Sequence, residues 1–155
     1  MQSIINQFSS EKNIAIIGVS RNEAKWGNML YDMLSKKGYT IFPVNPNMKE
    51  YKGNTCYASV KDLPAEVQNA IFTIPAKATE QVLKDITESS IKRVWLHKGG
   101  GQGASSEEAI QICNRSNIPV VYGLCPMMFF PDAGIHKIHL FFKRLFGGMP
   151  ADYRN

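Results

Sequence analysis

Cysteine is scarce in this chain: Cys56, Cys113 and Cys125 are the whole set, and no two form a CxxC pair. An odd, scattered set makes neither a disulfide framework nor a structural zinc site. No apolar run approaches the roughly 18–20 residues that cross a bilayer. The first residues, MQSIINQFSSEKN, lack the basic segment and apolar core of a secretory signal, so the cytoplasm is the expected compartment. Charge is sparse as well. Only 20% of residues are charged and the formal net charge is +5, while 44% are apolar, a balance that excludes a disordered class. The modest positive balance suits an anionic ligand. The densest basic stretch, residues 137–144, is too short to indicate nucleic acid.

Some site signatures are missing too. There is no GxGxxG, and no carboxylate follows the second predicted strand until Glu50, so NAD and FAD are disfavoured. No GxxxxGK[ST] occurs, which excludes a P-loop. The predicted crevice loops carry no carboxylate pair, and no Ser/His/Asp set or metal cage stands out. No catalytic or metal-ligating residue is therefore assigned, and an enzyme is the less favoured class.

What is present is a rhythm. Apolar runs at residues 14–17, 40–44, 70–74, 93–97 and 119–122 read as five strands. Helical patterns lie between most of them. After the first strand, Trp26, Leu30, Met33 and Leu34 form one stripe of a helix that ends near Lys36-Lys37-Gly38. Residues 47–58 read as a polar loop and 59–63 as a short helical turn. Val82, Leu83 and Ile86 face inward from a helix over 78–89. Ser105-x-x-Glu108 fits a capping box opening a helix to about Asn117. A leading helix over 1–12 presents Ile4, Ile5 and Phe8 on one face. Alternating strands and helices predict right-handed crossovers and one three-layer, Rossmann-like α/β domain with a five-stranded parallel sheet. We expect the order 3-2-1-4-5, counting strands from the amino terminus, with the crevice between strands 1 and 4. The domain spans residues 1–155, with a core over 12–126 and a carboxyl-terminal extension over 127–155.

The first loop, IAIIGVSRNEAKWGN, is the leading candidate for a ligand site. Strand, glycine turn and helix present backbone N–H groups and a helix N-terminus to a phosphate. Ser20, Arg21 and Lys25 add a hydroxyl and two cations, which otherwise are solvated loop residues. Lys77 opens a helix, where a cation opposes the dipole unless an anion compensates it. Residues 99–103 form either an anion nest or a flexible loop. His97 is a strand-end histidine or a crevice group. Cys125 is a candidate nucleophile or an inert core residue. His136 and His139, with Asp132, offer metal ligands or simply an exposed helix face. Residues 125–130 read as a helical turn stopped by Pro131. Ile135, Ile138, Phe142 and Leu145 mark an amphipathic C-terminal helix ending at Gly147-Gly148. Its surplus of aromatics, with Phe129, Phe130, Phe141 and Phe146, covers either a homo-oligomer interface or a sheet edge.

The pieces IAIIGVSRNEAKWGN, IFPVNPN, TIPA, WLHKGGG and YGLCP, in this order over residues 12–126, resemble the small bacterial CoA-binding domain proteins. These are related to the CoA-binding domain of the succinyl-CoA synthetase α-subunit. The resemblance implies a domain that binds coenzyme A or an acyl-CoA across the carboxyl ends of its strands. Gly18, Val19, Ser20, Arg21 and Lys25 would then hold the ADP phosphates. Pro43, Val44, Asn45 and Pro46 would border the adenosine, and Ile74, Pro75 and Ala76 the pantetheine path. Gly99 and Gly100 complete the expected site. The implied role is a non-catalytic carrier, sensor or regulatory module. Two alternatives stay open: a small acyl-CoA or nucleotide-using enzyme acting through Cys125 or His97, and an interaction module with an empty crevice. Synthetase activity is not implied, because nothing in the chain reads as a phosphohistidine or an ATP grasp. The Gly99-Gly100-Gly101 run and the long tail depart from the family pattern.

Overall fold

The computed structural model describes residues 1–98, 103–130 and 150–154. Five parallel strands form one sheet: β1 Asn13–Ile17, β2 Thr40–Val44, β5 Asn69–Phe72, β6 Arg93–His97 and β7 Val120–Leu124. The remaining two, β3 Glu50–Tyr51 and β4 Asn54–Thr55, make a small antiparallel hairpin. The helices are α1 Gln2–Ser10, α2 Trp26–Lys36, α3 Ala76–Leu83 and α4 Glu107–Arg115.

Side chains alternate across a strand, so each central strand feeds two cores. In β1, Ile14 and Ile16 join Phe8 of α1, Leu30 and Leu34 of α2, and Trp95 of β6. Ala15 and Ile17 face the other way, with Leu83 of α3 and Ala109 and Cys113 of α4. The result is the expected three-layer, Rossmann-like α/β domain. Trp95 is fully buried; its indole N–H donates to the Leu124 carbonyl (3.0 Å) and its ring meets Phe8 edge-on. Residues 2–10 form the expected leading helix, which covers the α2 face of the sheet.

The strand order is a correction. The sheet runs β2-β1-β5-β6-β7, which is 2-1-3-4-5 among its five strands. The third strand pairs with β1, Ile16 beside Ile71, and does not lie outside β2. The reason is readable in β2. On its outer edge the Pro43 carbonyl accepts from Tyr57 N–H and Asn45 N–H donates to the Tyr57 carbonyl. A residue's N–H and C=O point to the same side of a strand, so the donor that Pro43 lacks is missing from that outer edge. A further full strand there would lose a ladder bond, and β2 is confined to the sheet edge. The side on which the chain reverses direction therefore lies between β1 and β5, and the crevice forms there.

Other differences are local. The polar loop over 47–58 contains the β3–β4 hairpin, whose two-residue turn places Lys52 and Gly53 at positive φ (50° and 79°). Tyr51 packs edge-on to Tyr31 of α2, and the Asn54 amide donates to the Tyr31 hydroxyl, which docks the hairpin on the helix. The α4 cap falls on Ser106, not Ser105: the Ser106 hydroxyl accepts from Ala109 N–H. The helix expected over 78–89 is α3 plus a separate 3-10 turn at Ile86–Glu88. Pro126–Met128 form the short turn expected after β7. The chain end, Ala151–Arg154, returns to β7, where the Tyr122 hydroxyl donates to Asp152. Among the described residues, no helix is long and apolar enough to cross a membrane. Asp132, Ile135, His136, Ile138, His139, Phe141, Phe142, Leu145 and Phe146, and with them the expected C-terminal helix, lie outside the described residues.

Candidate functional site

The start of α2 is pressed onto the end of β1. Gly18 has φ +118°, and an added Cβ would stand 2.5 Å from Thr73 Oγ1 and 2.8 Å from Ile74 Cγ2. Gly27, in the first turn of α2, is closer still: its Cβ would meet the Gly18 carbonyl oxygen at 2.3 Å. Two glycines nine residues apart in sequence thus do the work that the tighter fingerprint does elsewhere, turning the chain and letting the helix approach the strand. Gly27 does not fit a GxGxxG pattern because the loop between the two glycines is longer.

That loop is held from within. Asn28, only 2% exposed, accepts from Ser20 N–H (2.8 Å) and donates to the carbonyls of Ser20 (2.7 Å) and Asn22 (3.0 Å). Asn22 N–H donates to the Ser20 hydroxyl, and Ala24 N–H to the Asn22 side chain. From β2, the Asn45 amide donates to the Val19 carbonyl (2.7 Å), and the Arg21 guanidinium donates to the Asn47 carbonyl (3.2 Å). Asn28 was not singled out from sequence; a buried asparagine one residue past the helix's glycine is the signal that could have found it.

The helix start itself carries no compensation. Lys25 is the N-cap of α2, no side chain caps the turn, and no acidic residue lies in it. Unsatisfied N–H groups and the positive dipole end, next to a cation, favour an anion at this point. Neither glycine can carry a side chain at this junction, because a Cβ on Gly27 would collide with the Gly18 carbonyl and one on Gly18 with Thr73 and Ile74. The helix α3 begins similarly, with Pro75 as its cap and no side-chain partner. Lys77 there is 91% exposed and pairs with Glu80 (3.1 Å), whose other oxygen accepts from the Ser106 hydroxyl. The Ser106 hydrogen bond and then Lys77 hold the Glu80 carboxyl below the usual range.

Two clefts open at the carboxyl ends of the strands. One, of about 560 Å³, is lined by Gly18, Val19, Ser20, Lys25, Trp26 and Asn45 on one side and by Thr73, Ile74, Pro75 and Gly103 on the other. The second, of about 510 Å³, runs past Val44, Asn45 and Pro46 to Ser59, Val60 and the α3 residues Ala78 and Gln81. Gly18, Asn45 and Ile74 belong to both, so the clefts are continuous. Nine of the expected site residues line them: Gly18, Val19, Ser20, Lys25, Val44, Asn45, Pro46, Ile74 and Pro75. Arg21 is turned to Asn47 outside both walls. Pro43 is buried in β2, and Ala76, half-buried, lines neither. Gly99 and Gly100 lie outside the described residues. Thr73, Trp26 and the Ala58–Val60 segment were not foreseen as lining.

Behind the first cleft is a dry pocket. Trp26, Thr73, His97 and Cys125 line it, with Leu30 and Met127, and it has no volume that admits a water molecule. His97 is 5% exposed, and its Nε2 has no hydrogen-bond partner among the described residues. Burial drives its pKa down to about 4, so the ring is neutral at physiological pH. A buried polar atom left unpaired costs about 1–3 kcal/mol. Trp26, expected on the buried stripe of α2, is 42% exposed and stands over His97 with ring centroids 5.4 Å apart. Tyr31 takes the buried position instead.

A parallel sheet, a glycine turn packed on an uncapped helix, and clefts at the carboxyl ends of the strands define a Rossmann-like α/β domain with its crevice at the reversal point. The chain belongs to the CoA binding domain family, whose model matches residues 12–131. It is 31% identical over 120 residues to acetate–CoA ligase [ADP-forming] I of Archaeoglobus fulgidus, covering 74% of this chain and 18% of the ligase. It is 29% identical over 129 residues to acetate–CoA ligase [ADP-forming] II subunit alpha of Pyrococcus furiosus, covering 79% of this chain and 28% of that subunit. The chain thus spans less than a third of the length of these curated relatives. A conserved hypothetical protein from Pyrococcus furiosus superposes with a TM-score of 0.68 at 37% identity, covering 74% of this chain and 95% of that one.

Proposed function

We propose that this chain binds coenzyme A or an acyl-CoA in the two continuous clefts, as a carrier, sensor or regulatory module. The observation that carries this reading is the uncapped start of α2, packed on β1 through Gly18 and Gly27 and flanked by Ser20 and Lys25. It suits a diphosphate: N–H groups, a dipole end and a cation converge where no described residue compensates them. Family membership supports the same ligand, and relatives carry the names of acetate–CoA ligases. In this reading Val44, Asn45 and Pro46 border the adenosine, and Ile74 and Pro75 flank the pantetheine arm. Coenzyme A, once bound, supplies a thiol that carries acyl groups as thioesters. The chain's own part is to bind and orient it: Asn28 and Asn45 hold the loop in its receiving form before the ligand arrives.

Calorimetry with CoA, dephospho-CoA, NAD and ATP tests this reading. Binding of CoA in preference to NAD and ATP is expected, and absence of CoA binding at high micromolar concentration overturns it. A loss of affinity for dephospho-CoA assigns a cation to the 3′-phosphate. The enzyme alternative keeps one specific support, the meeting of His97 and Cys125 in one pocket. An acyl-transfer signal that disappears in Cys125→Ala would favour it.

A further inference from the structure

The pocket behind Trp26 has a feature that the binding of the nucleotide and pantetheine portions leaves unused. Three buried side-chain polar atoms lack partners among the described residues: Tyr51 Oη in the hairpin, Asn69 Nδ2 at the start of β5, and His97 Nε2. Only the last sits at the carboxyl end of a central strand, in the wall of a pocket beside the cleft. The neighbouring Thr73 hydroxyl is engaged, donating to the Ile17 carbonyl (3.0 Å). Trp26 and Thr73 line both the cleft and the pocket, so these two side chains are the partition between them. The far end of the cleft reaches Gly103, whose added Cβ would lie 2.4 Å from the His97 carbonyl oxygen. A ligand extended from Lys25 toward Gly103 therefore ends over His97. Trp26 is already 42% exposed at the first position of α2, so turning its ring outward gives up little burial.

From this arrangement we infer that the Trp26–His97–Cys125 pocket is an acyl subsite, which opens by rotation of Trp26 and receives a short, uncharged acyl group through its thioester carbonyl. The inference rests on the coenzyme A reading above. His97 Nε2–H donates to the carbonyl oxygen, and Leu30 and Met127 contact the alkyl end. The neutral ring suits a neutral acceptor. Among the described residues no lysine or arginine lines the pocket, so these walls offer an acyl group ending in a carboxylate no counter-charge. The subsite therefore selects acetyl-sized groups against dicarboxylic ones. No bond is made or broken in this step.

The test is calorimetry with CoA, acetyl-CoA and succinyl-CoA on the full chain. Acetyl-CoA is expected to bind about fivefold tighter than CoA, the worth of one hydrogen bond in a dry site, and succinyl-CoA no tighter than CoA. In His97→Leu the acetyl-CoA to CoA ratio falls to one, and His97→Gln, which keeps an N–H donor, restores part of it. Using the ratio removes any general change in binding. The imidazole NMR signals of wild-type His97 give a second readout that needs no variant: acetyl-CoA shifts them and CoA does not. Equal affinities for CoA and acetyl-CoA, a ratio that survives in His97→Leu, or unmoved His97 signals overturn the subsite while leaving the coenzyme A reading intact. Tighter binding of CoA than acetyl-CoA overturns it in favour of a thiol pocket. If none of the three binds, both readings fall.

Discussion

The first loop and the pocket behind Trp26 lie side by side at the same edge of the sheet, and they treat polar groups in opposite ways. In the loop, Asn28 alone makes three hydrogen bonds, and the exposed Lys25 and Arg21 face water. In the pocket, water has no room and His97 Nε2 has no partner among the described residues. The loop's shape is held without a ligand, and its open donors at the start of α2 face the cleft. The pocket is unfinished, holding a polar atom whose cost is recovered only when another group arrives. An open region with its frame already held suits a charged, permanent part of a ligand. A dry, unsatisfied one suits a neutral part that varies.

Acid should expose this difference most strongly. Burial lowers the His97 pKa from 6.5 to about 4, so between those values the unfolded chain binds a proton that the folded chain refuses. Stability from this group is complete above pH 6.5 and falls as pH drops toward 4, by about 3 kcal/mol. Urea denaturation at pH 7 and pH 4 should show that loss in the wild type and not in His97→Leu, once the acid loss common to both is subtracted. Gly27→Ala comes next. Its Cβ meets backbone, which cannot move aside as a side-chain tip can, and about 2–3 kcal/mol of stability should be lost with the loop's ligand affinity. Asn28→Ala should lower the denaturation midpoint by removing three bonds around Ser20 and Asn22, at about 2 kcal/mol. A smaller effect would mean that water replaces the side chain and that the loop is less preorganised than its bonding implies. Lys25→Ala should change stability by no more than about 0.5 kcal/mol, being exposed. In calorimetry it should weaken CoA binding about tenfold if the cation meets a phosphate.

Much of the fold was legible in local patterns. The strand bounds at Thr40–Val44 and Arg93–His97 follow from apolar runs between punctuating residues, and α2 begins where the helical pattern starts. Pro43 even carried the clue to the sheet edge, since a missing donor matters wherever the strand lies; it went unread because which edge it faces depends on pairing. The expected order 3-2-1-4-5 failed for that reason. The candidate site was legible where chemistry sits in one segment, as in Gly18, Ser20 and Lys25, and at the strand ends Asn45, Ile74 and Pro75. It was not legible where the relevant quantity is a distance between segments.

Sequence alone determined that this chain is a Rossmann-like α/β domain whose first loop suits an anion, because strand and helix periodicity and the turn chemistry are properties of neighbouring residues; its CoA-binding type came from resemblance to a known family. The tertiary structure decided where the crevice lies, since that follows from β5 pairing with β1. It also decided that Gly27 touches Gly18, that Asn28 ties the loop, and that His97 is neutral. Each of these depends on which atoms are packed together or shut away from water, and proximity across 10, 50 or 80 residues of chain is written in no single stretch of it.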